Sequence, residues 1–358
     1  MTNALTRFTD RLMGRASAAV TVPALDGALK PNNVLEELPP GIAGEAPDNI
    51  VIWQGAPLWS QGKTLLTPDG PCADLGSPVT AIVANGTRVA VASGEHGLRL
   101  LDRDLRDVSP QWTQSVRNVT ALAFAPDGAL WFCSGSSSNA PDEWRRDLME
   151  KNRSGLVGRA DPESGDILIR AERLGYPNGL VIDPDGDIVV SEAWSSHLLK
   201  IPARGGAGEI VLDEIPGYPG RIVAREEGGY WLSIFAPRGQ LIEFVLREPG
   251  YRKAMLREVA PEYWVAPAYR SGDSFMEPLQ GGALKQMGIL KPWAPTRSYG
   301  LVAELGPDFV PVRSFHSRAG GRRHGITSAA EVSDKLWLTS RGAGEVLTID
   351  LGSKGESA

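Results

Sequence analysis

Asp48, Thr120, Asn178 and the pair Gly220-Arg221 occupy matching places in copies of one sequence unit. Together they offer a carboxylate, a hydroxyl, an amide and a guanidinium. Oxygen donors of this kind suit a hard cation, whereas a guanidinium suits a carboxylate or an oxyanion. Two histidines could add a general base, because imidazole titrates near neutral pH. His96 lies in Ser93-Gly-Glu-His-Gly97, and His324 follows Gly320-Gly-Arg-Arg323. A histidine in a Gly-rich turn is also a common surface residue, so both readings of His96 stand. His197 and His316 sit in apolar strand contexts and read as structural. Ser134 to Ser138 supply hydroxyls, but the chain has no Gly-x-Ser-x-Gly elbow, which argues against a serine-hydrolase triad.

The unit that positions these residues is clearest from Tyr176 to Pro202. It holds Leu180-Val-Ile, the turn Asp183-Pro-Asp-Gly186, then Asp187-Ile-Val-Val-Ser-Glu192 and His197-Leu-Leu-Lys-Ile201. Short Val/Ile/Leu-rich runs bounded by such turns read as strands. Similar stretches run 47–66, 79–102, 119–161, 219–244 and 324–350. Recurrence at roughly 40 residues, in units of three or four strands, predicts propeller blades. Six copies predict an all-β, six-bladed β-propeller; a sandwich or barrel would not need such self-similarity. Propeller geometry would gather Asp48-Asn49, Thr80, Thr120, Asn178, Gly220-Arg221 and Thr327 at one channel mouth. A second ring would hold His96, Ser134 to Ser138, Glu192, Phe235 and Arg341.

Composition bounds the partners. The 358 residues are 42% hydrophobic, enough for a sizeable core, and the net charge of −6 argues against nucleic acid. Cys72 and Cys133 are too few for a disulfide framework and read as buried thiols. No apolar run reaches the ~20 residues of a membrane span, and the first 20 residues lack a continuous apolar signal core. A cytoplasmic protein is the expectation. Leu5, Phe8, Leu12 and Met13 fall at helical spacing, predicting a short amphipathic N-terminal helix that packs on the propeller or lies on a membrane. The expected division is a helix and lead-in over 1–45, the propeller over 46–352 and a tail over 353–358. An insertion over 241–299 begins with one or two short helices, continues rich in proline, and reads as a lid or an interface. Its Tyr263, Trp264, Tyr269 and Trp293 either line a pocket or anchor the loop.

The segments FAPDGALWFCSGSSS, YPNGLVIDPDGDIVVSEAW, PGYPGRIVAREEGGYWLSI and ITSAAEVSDKLWLTS, in this order, resemble the strictosidine synthase-like branch of six-bladed propellers. The pattern is similar to the adipocyte plasma membrane-associated protein group and, more distantly, to SMP-30/gluconolactonase and paraoxonase. The resemblance covers nearly the whole chain. It implies a small-molecule substrate, and in hydrolytic relatives a central Ca²⁺ that polarises a lactone or ester carbonyl and activates water. Position by position, Asp48 and Asn178 match ligands of that ion. Thr120 replaces an Asn, and Gly220-Arg221 replaces an Asp-Asn pair. A guanidinium repels a metal: unit charges ~5 Å apart at an effective dielectric of ~20 interact by roughly 3 kcal/mol. The expected alternatives are therefore a depleted Ca²⁺ site on Asp48 and Asn178, or a metal-independent site in which Arg221 binds a substrate carboxylate or oxyanion. Arg221 could equally form a structural bridge to Asp48 or Glu192. His96 matches the region of the catalytic histidine in paraoxonase-like relatives. Plant-type condensing synthases carry a glutamate just after a histidine in the last unit; His324-Gly-Ile-Thr327 has none, so a Pictet–Spengler condensation is not expected.

Three functions follow. One is a hydrolase of a lactone or ester with Asp48, His96, Arg221 and His324 as catalytic candidates. Asn178, Thr120, Glu192, Phe235 and Trp264 are its substrate-binding candidates. Another is a non-catalytic propeller binding a small acid or a protein, and the third is an enzyme with altered chemistry centred on Arg221.

Overall fold

The computed structural model describes residues 22–94, 97–274, 276–278, 285–286, 289–290 and 296–352. The helix expected near the N-terminus, the tail over 353–358, His96 and Trp293 lie outside the described residues.

Among the described residues, alternating apolar runs and tight turns produce six antiparallel blade sheets, with a separate two-stranded pair, Lys285–Gln286 and Ile289–Leu290, in the insertion. Blade 1 runs through Pro47–Trp53, Ala56–Gln61, Thr64–Thr67 and Gly70–Asp74. Blade 2 has three strands, Val79–Ala84, Val89–Ser93 and Gly97–Leu101. Blade 3 comprises Val119–Phe124, Leu130–Ser134, Gly155–Ala160 and Ile167–Leu174. Blade 4 comprises Pro177–Ile182, Ile188–Glu192, His197–Ile201 and Glu209–Leu212. Blade 5 comprises Gly217–Ala224, Tyr230–Pro237, Leu301–Leu305 and Pro311–His316. Blade 6 comprises Ile326–Val332, Lys335–Ser340 and Glu345–Asp350. Each first strand touches the first strand of the next blade, and blade 6 returns to blade 1. The protein is a six-bladed β-propeller.

The turn of blade 4 shows why the unit folds this way. Asp183 Oδ1 accepts the N–H groups of Asp185 and Asp187, each at 2.9 Å, and Gly186 takes φ +85°. That local pairing makes the reversal, and Ile188, Val189 and Val190 behind it are fully buried. All three are apolar because neighbouring blades cover both faces of the strand.

Three expectations need correction. The 219–244 copy supplies two strands rather than three; its end enters the helix Gln240–Arg247, in line with the short helices expected at the start of the insertion. The third strand of blade 5 is Leu301–Leu305, beyond the insertion. Leu241 and Phe244 remain exposed, while Ile242, Val245 and Leu246 are buried, so the apolar spacing there is helical. The lead-in is also part of a blade. Ile42 pairs with Val346 and Ala43 with Glu345, closing blade 6 with an N-terminal strand. Finally, Cys133 is buried but Cys72 is exposed.

Among the described residues, four short α-helices decorate the ring: α1 Val34–Glu37, α2 Trp144–Glu150, α3 Gln240–Arg247 and α4 Pro249–Glu258. No described helix is long and apolar enough to cross a membrane.

Candidate functional site

At one end of the channel every first strand carries a register shift against the second. It falls between Asp48 and Ile50, Val79 and Ala81, Pro177 and Gly179, Pro219 and Ile222, and Ile326 and Ser328. In blade 3 the partners of Cys133 and Ser134 skip Thr120. A bulge leaves its extra residue unpaired and re-aims it. The extruded residues are Asn49, Thr80, Thr120, Asn178, Gly220-Arg221 and Thr327.

The bulges bring Asp48 and Arg221 together. Arg221 Nη1 donates to Asp48 Oδ1 at 3.0 Å and to the Thr327 carbonyl at 3.2 Å; Nη2 donates to the Thr80 carbonyl at 2.9 Å. Arg341 Nη1 reaches Asp48 Oδ2 at 2.7 Å, and the Asn49 N–H donates to Oδ1 at 2.8 Å. Burial alone would push the Asp48 carboxyl up. Arg221 and Arg341, with bonds from Thr327 and Asn49, more than offset that and hold it below the usual carboxylate range. Arg221 also lines a second cavity of about 430 Å³, walled by first-strand residues of all six blades further along the channel. Its guanidinium therefore divides the channel.

Above this pair lies a cavity of about 440 Å³. Two segments outside the blades wall it. The first is α2, which starts after Pro141 with Asp142 and Glu143 near its positive end. Arg146 faces Glu143 and Glu150 one turn either way, and Lys151 ends the helix at φ +55°. Asp147 on its inner face accepts Trp194 Nε1 at 2.7 Å and Asn152 Nδ2 at 2.8 Å. This fixes Trp144 and Arg145 at the cavity.

The second wall is 264–270, which contributes Ala268, Tyr269 and Arg270. Buried Arg297 holds it, donating from Nε to the Ala266 carbonyl at 2.9 Å, while the Ala268 N–H returns to the Arg297 carbonyl at 2.9 Å. A Cβ on Gly342 would meet the Tyr269 carbonyl oxygen at 2.1 Å, so this approach requires glycine. Trp144, Phe235 and Tyr269 pack ring against ring, with centroids 5.1 to 5.8 Å apart.

Asp48, Thr120, Asn178 and Arg221 thus line one cavity. Thr120 Oγ1 is committed to the Pro177 carbonyl at 2.5 Å. Asn178 is half-buried, and its amide has no hydrogen-bond partner among the described residues. Other expected residues lie elsewhere. Glu192 is buried away from the cavity, bonded to His197 Nε2 at 2.7 Å, Arg153 Nη2 at 3.1 Å and the Gly175 N–H at 2.5 Å. Phe235 is 3% exposed and backs Trp144 and Tyr269 rather than forming the cavity surface. Trp264 is likewise buried, its Nε1 donating to the Val259 carbonyl at 2.8 Å. His324 faces a neighbouring cavity; its Nε2 donates to the Arg318 carbonyl at 2.9 Å and Nδ1 takes a bond of 2.7 Å from Ser298 Oγ. Burial lowers its pKa, against the opposing bond to the Arg318 carbonyl and the charge of Glu36. Ser136 organises a loop, its Oγ accepting the N–H groups of Ser138 and Asn139. Sequence reasoning missed Trp144 and Arg145. The clue was Pro141-Asp-Glu-Trp-Arg-Arg, a helix start in the longest excursion between blade strands outside the insertion.

The residues do not fit a calcium ion, which needs six or more oxygen ligands. Each Asp48 oxygen already receives a guanidinium, and the Thr80 and Thr327 carbonyls receive Arg221. The cation at this place is the protein's own side chain.

The sequence is 26% identical over 246 residues to an adipocyte plasma membrane-associated protein from Danio rerio, covering 65% of this chain and 52% of that one. It is 22% identical over 232 residues to a strictosidine synthase-like protein from Arabidopsis thaliana, covering 64% and 54%. The chain spans about half the length of the curated relatives it matches. No protein-family model matches it. A gluconolactonase structure from Xanthomonas campestris aligns with TM-score 0.52 at 15% identity over 86% of each chain. A calcium-binding regucalcin from Agrobacterium tumefaciens aligns with TM-score 0.51 at 14% identity, over 88% and 91%. The resemblance to the adipocyte plasma membrane-associated and strictosidine synthase-like proteins therefore holds in sequence relatives, and the likeness to gluconolactonase-type propellers holds in fold.

Proposed function

We propose that the chain is a small-molecule hydrolase that opens a lactone or ester in the channel-mouth cavity without a metal. The observation that carries this reading is the Asp48 carboxylate clamped between Arg221 and Arg341. Hydrolysis turns a neutral carbonyl oxygen into an oxyanion, and fixed cations in a partly desolvated pocket stabilise that change. Arg341 spends one bond on Asp48, and its side chain is 37% exposed, so it has N–H groups left for a substrate oxygen. Arg221 spends its bonds on Asp48 and two carbonyls; it supplies charge and holds Asp48 in place. Asn178 offers an amide to orient the substrate. His96 is the proposed base, because it is the histidine closest in sequence to the Thr80 blade. His324, committed to Ser298 and Arg318, is left out of the reaction.

A second reading, a small-acid-binding propeller without turnover, is favoured by one observation. Asp48 is the only described carboxylate on the cavity floor, and its lowered pKa makes it a weak base. Steady-state kinetics on aryl esters separate the two readings. Loss of one oxyanion donor costs about 10²–10³ in kcat, and Arg341→Gln should show that loss. Unchanged hydrolysis in that variant removes Arg341 from the mechanism. No hydrolysis by the unmodified protein transfers the weight to binding.

A further inference from the structure

The cavity carries more positive charge than its floor requires. Four guanidiniums line it, those of Arg145, Arg221, Arg270 and Arg341, against the carboxylates of Asp48 and Asp142. Arg270 is neutralised outside the cavity by Asp273, through bonds of 2.9 and 2.7 Å. Asp48 is shared by two cations, and Asp142 is exposed at the rim. One positive charge is left in excess.

Arg145 is where that charge sits. It is half-buried and forms no ion pair among the described residues; its Nη1 donates to a neutral acceptor, the Pro261 carbonyl, at 3.1 Å. Burial lowers the Arg145 pKa and outweighs the opposing help from Tyr269 and, more weakly, Glu262. A partly desolvated cation with no direct ion pair is costly unless a ligand supplies the closer charge. The guanidinium lies 5.8 Å from the centre of the Trp144 ring, which fixes its direction. Arg341 lies 4.8 Å from the centre of the Tyr269 ring, and Arg145 acts on the same tyrosine. Two cations with unused donors, Arg145 and Arg341, therefore line the same cavity as Tyr269. The rings of Trp144 and Tyr176 form part of the remaining wall, beside Pro78, Val79 and Pro141 and the polar Thr80 and Asn178.

We infer that the cavity selects an organic monoanion, a carboxylate on a flat apolar body, with the carboxylate held by Arg145 and Arg341 and the body against Trp144 and Tyr176. The inference rests on reading this cavity as the ligand site, and it holds whether or not the bound molecule is turned over. A planar guanidinium matches a carboxylate with two parallel bonds, and the aromatic walls match a ring. In a hydrolase the carboxylate would belong to the substrate's non-reacting end, leaving the ester or lactone carbonyl to face the Asp48 floor.

Isothermal titration of the full chain with naphthoate, naphthyl phosphate and naphthamide tests this. Naphthoate should bind at least about tenfold more tightly than the amide, since a charge-assisted hydrogen bond is worth roughly that factor or more. Arg145→Gln should abolish the preference and Arg145→Lys should restore part of it, with thermal melting showing both variants folded. Equal affinity for acid and amide overturns the inference, as does an acid preference that survives Arg145→Gln. Tighter binding of the phosphate than the carboxylate overturns the carboxylate assignment. Hydrolysis of neutral naphthyl acetate, measured on the same samples, keeps the two readings apart. Ester turnover without acid preference sinks this inference and leaves the hydrolase. Acid binding without turnover of any ester does the reverse.

Discussion

Asp48 Oδ1 lies 3.0 Å from Arg221 Nη1, although 173 residues separate them in the chain. The pair joins blade 1 to blade 5 across the axis, and the two carbonyls that Arg221 also takes belong to blades 6 and 2. One guanidinium thus ties four blades at the channel mouth. Asp48→Asn keeps the shape and removes the charge, leaving Arg221 and Arg341 facing each other. Breaking a buried pair from one side costs about 3–5 kcal/mol. We expect the unfolding free energy from urea denaturation to fall by an amount in the lower part of that range, and the midpoint with it, because Arg341 is partly exposed. An unchanged midpoint would show the clamp to be dispensable for the fold.

The pair has a pH consequence of definite sign. A carboxyl held below its unfolded pKa contributes stability that is complete above that value and is lost as pH falls through the folded one. The Asp48 contribution therefore fades only in acid below about pH 4, the usual Asp range.

His316 acts earlier. Burial lowers its pKa to about 4, with Nε2 against Ser314 Oγ at 2.8 Å and Nδ1 against Tyr299 Oη at 3.2 Å. The unfolded chain binds this proton near pH 6.5 and the folded one does not. Stability should therefore be full above about pH 6.5 and decline as pH falls towards about 4. Denaturation midpoints across that window should show the slope, and His316→Gln should flatten it. An unaltered slope in the variant would assign the acid sensitivity to other groups.

Glu192 separates a structural role from a functional one. Its bonds to His197, Arg153 and the Gly175 N–H lie away from the cavity, and burial is offset by these donors so that its pKa is lowered. Glu192→Gln should cost about 1–3 kcal/mol of stability, the range for a buried charged group losing partners. Binding of a cavity ligand should be unaffected. Weakened binding at temperatures where the variant is folded would return Glu192 to the site.

Gly342 tests the wall. An alanine there would place Cβ 2.1 Å from the Tyr269 carbonyl oxygen and 2.9 Å from that of His324, both backbone atoms. Overpacking of this kind costs about 1–3 kcal/mol. We expect Gly342→Ala to displace Tyr269 and weaken ligand affinity more than it lowers the melting temperature. Equal affinity in the variant would mean that Tyr269 does not shape the cavity.

The blades were legible because each repeats short apolar strands joined by a tight Gly- or Asp-bearing turn, as at Asp183-Pro-Asp-Gly186. The first-strand positions were legible as a group for the same reason, since a propeller brings equivalent residues to one mouth. The bulges that aim Thr80, Asn178 and Thr327 inward were not visible, because register depends on the partner strand. Glu192 was misplaced because sequence shows where a strand ends but not which way its last side chain points. Arg145 was missed because its significance is the lack of a direct ion pair among the described residues, a property of three-dimensional surroundings. The closing strand at Ile42–Ala43 is only two residues long, too short for any periodicity.

The most direct test of the central claim is hydrolysis of a panel of lactones and aryl esters with added Ca²⁺ and with EDTA, alongside elemental analysis of the purified protein. The expected result is turnover indifferent to both additions, with no stoichiometric metal, and its loss in Arg341→Gln. Calcium-dependent turnover by protein that carries the ion would contradict the claim, because Arg221 would then have to leave Asp48 to make room for it.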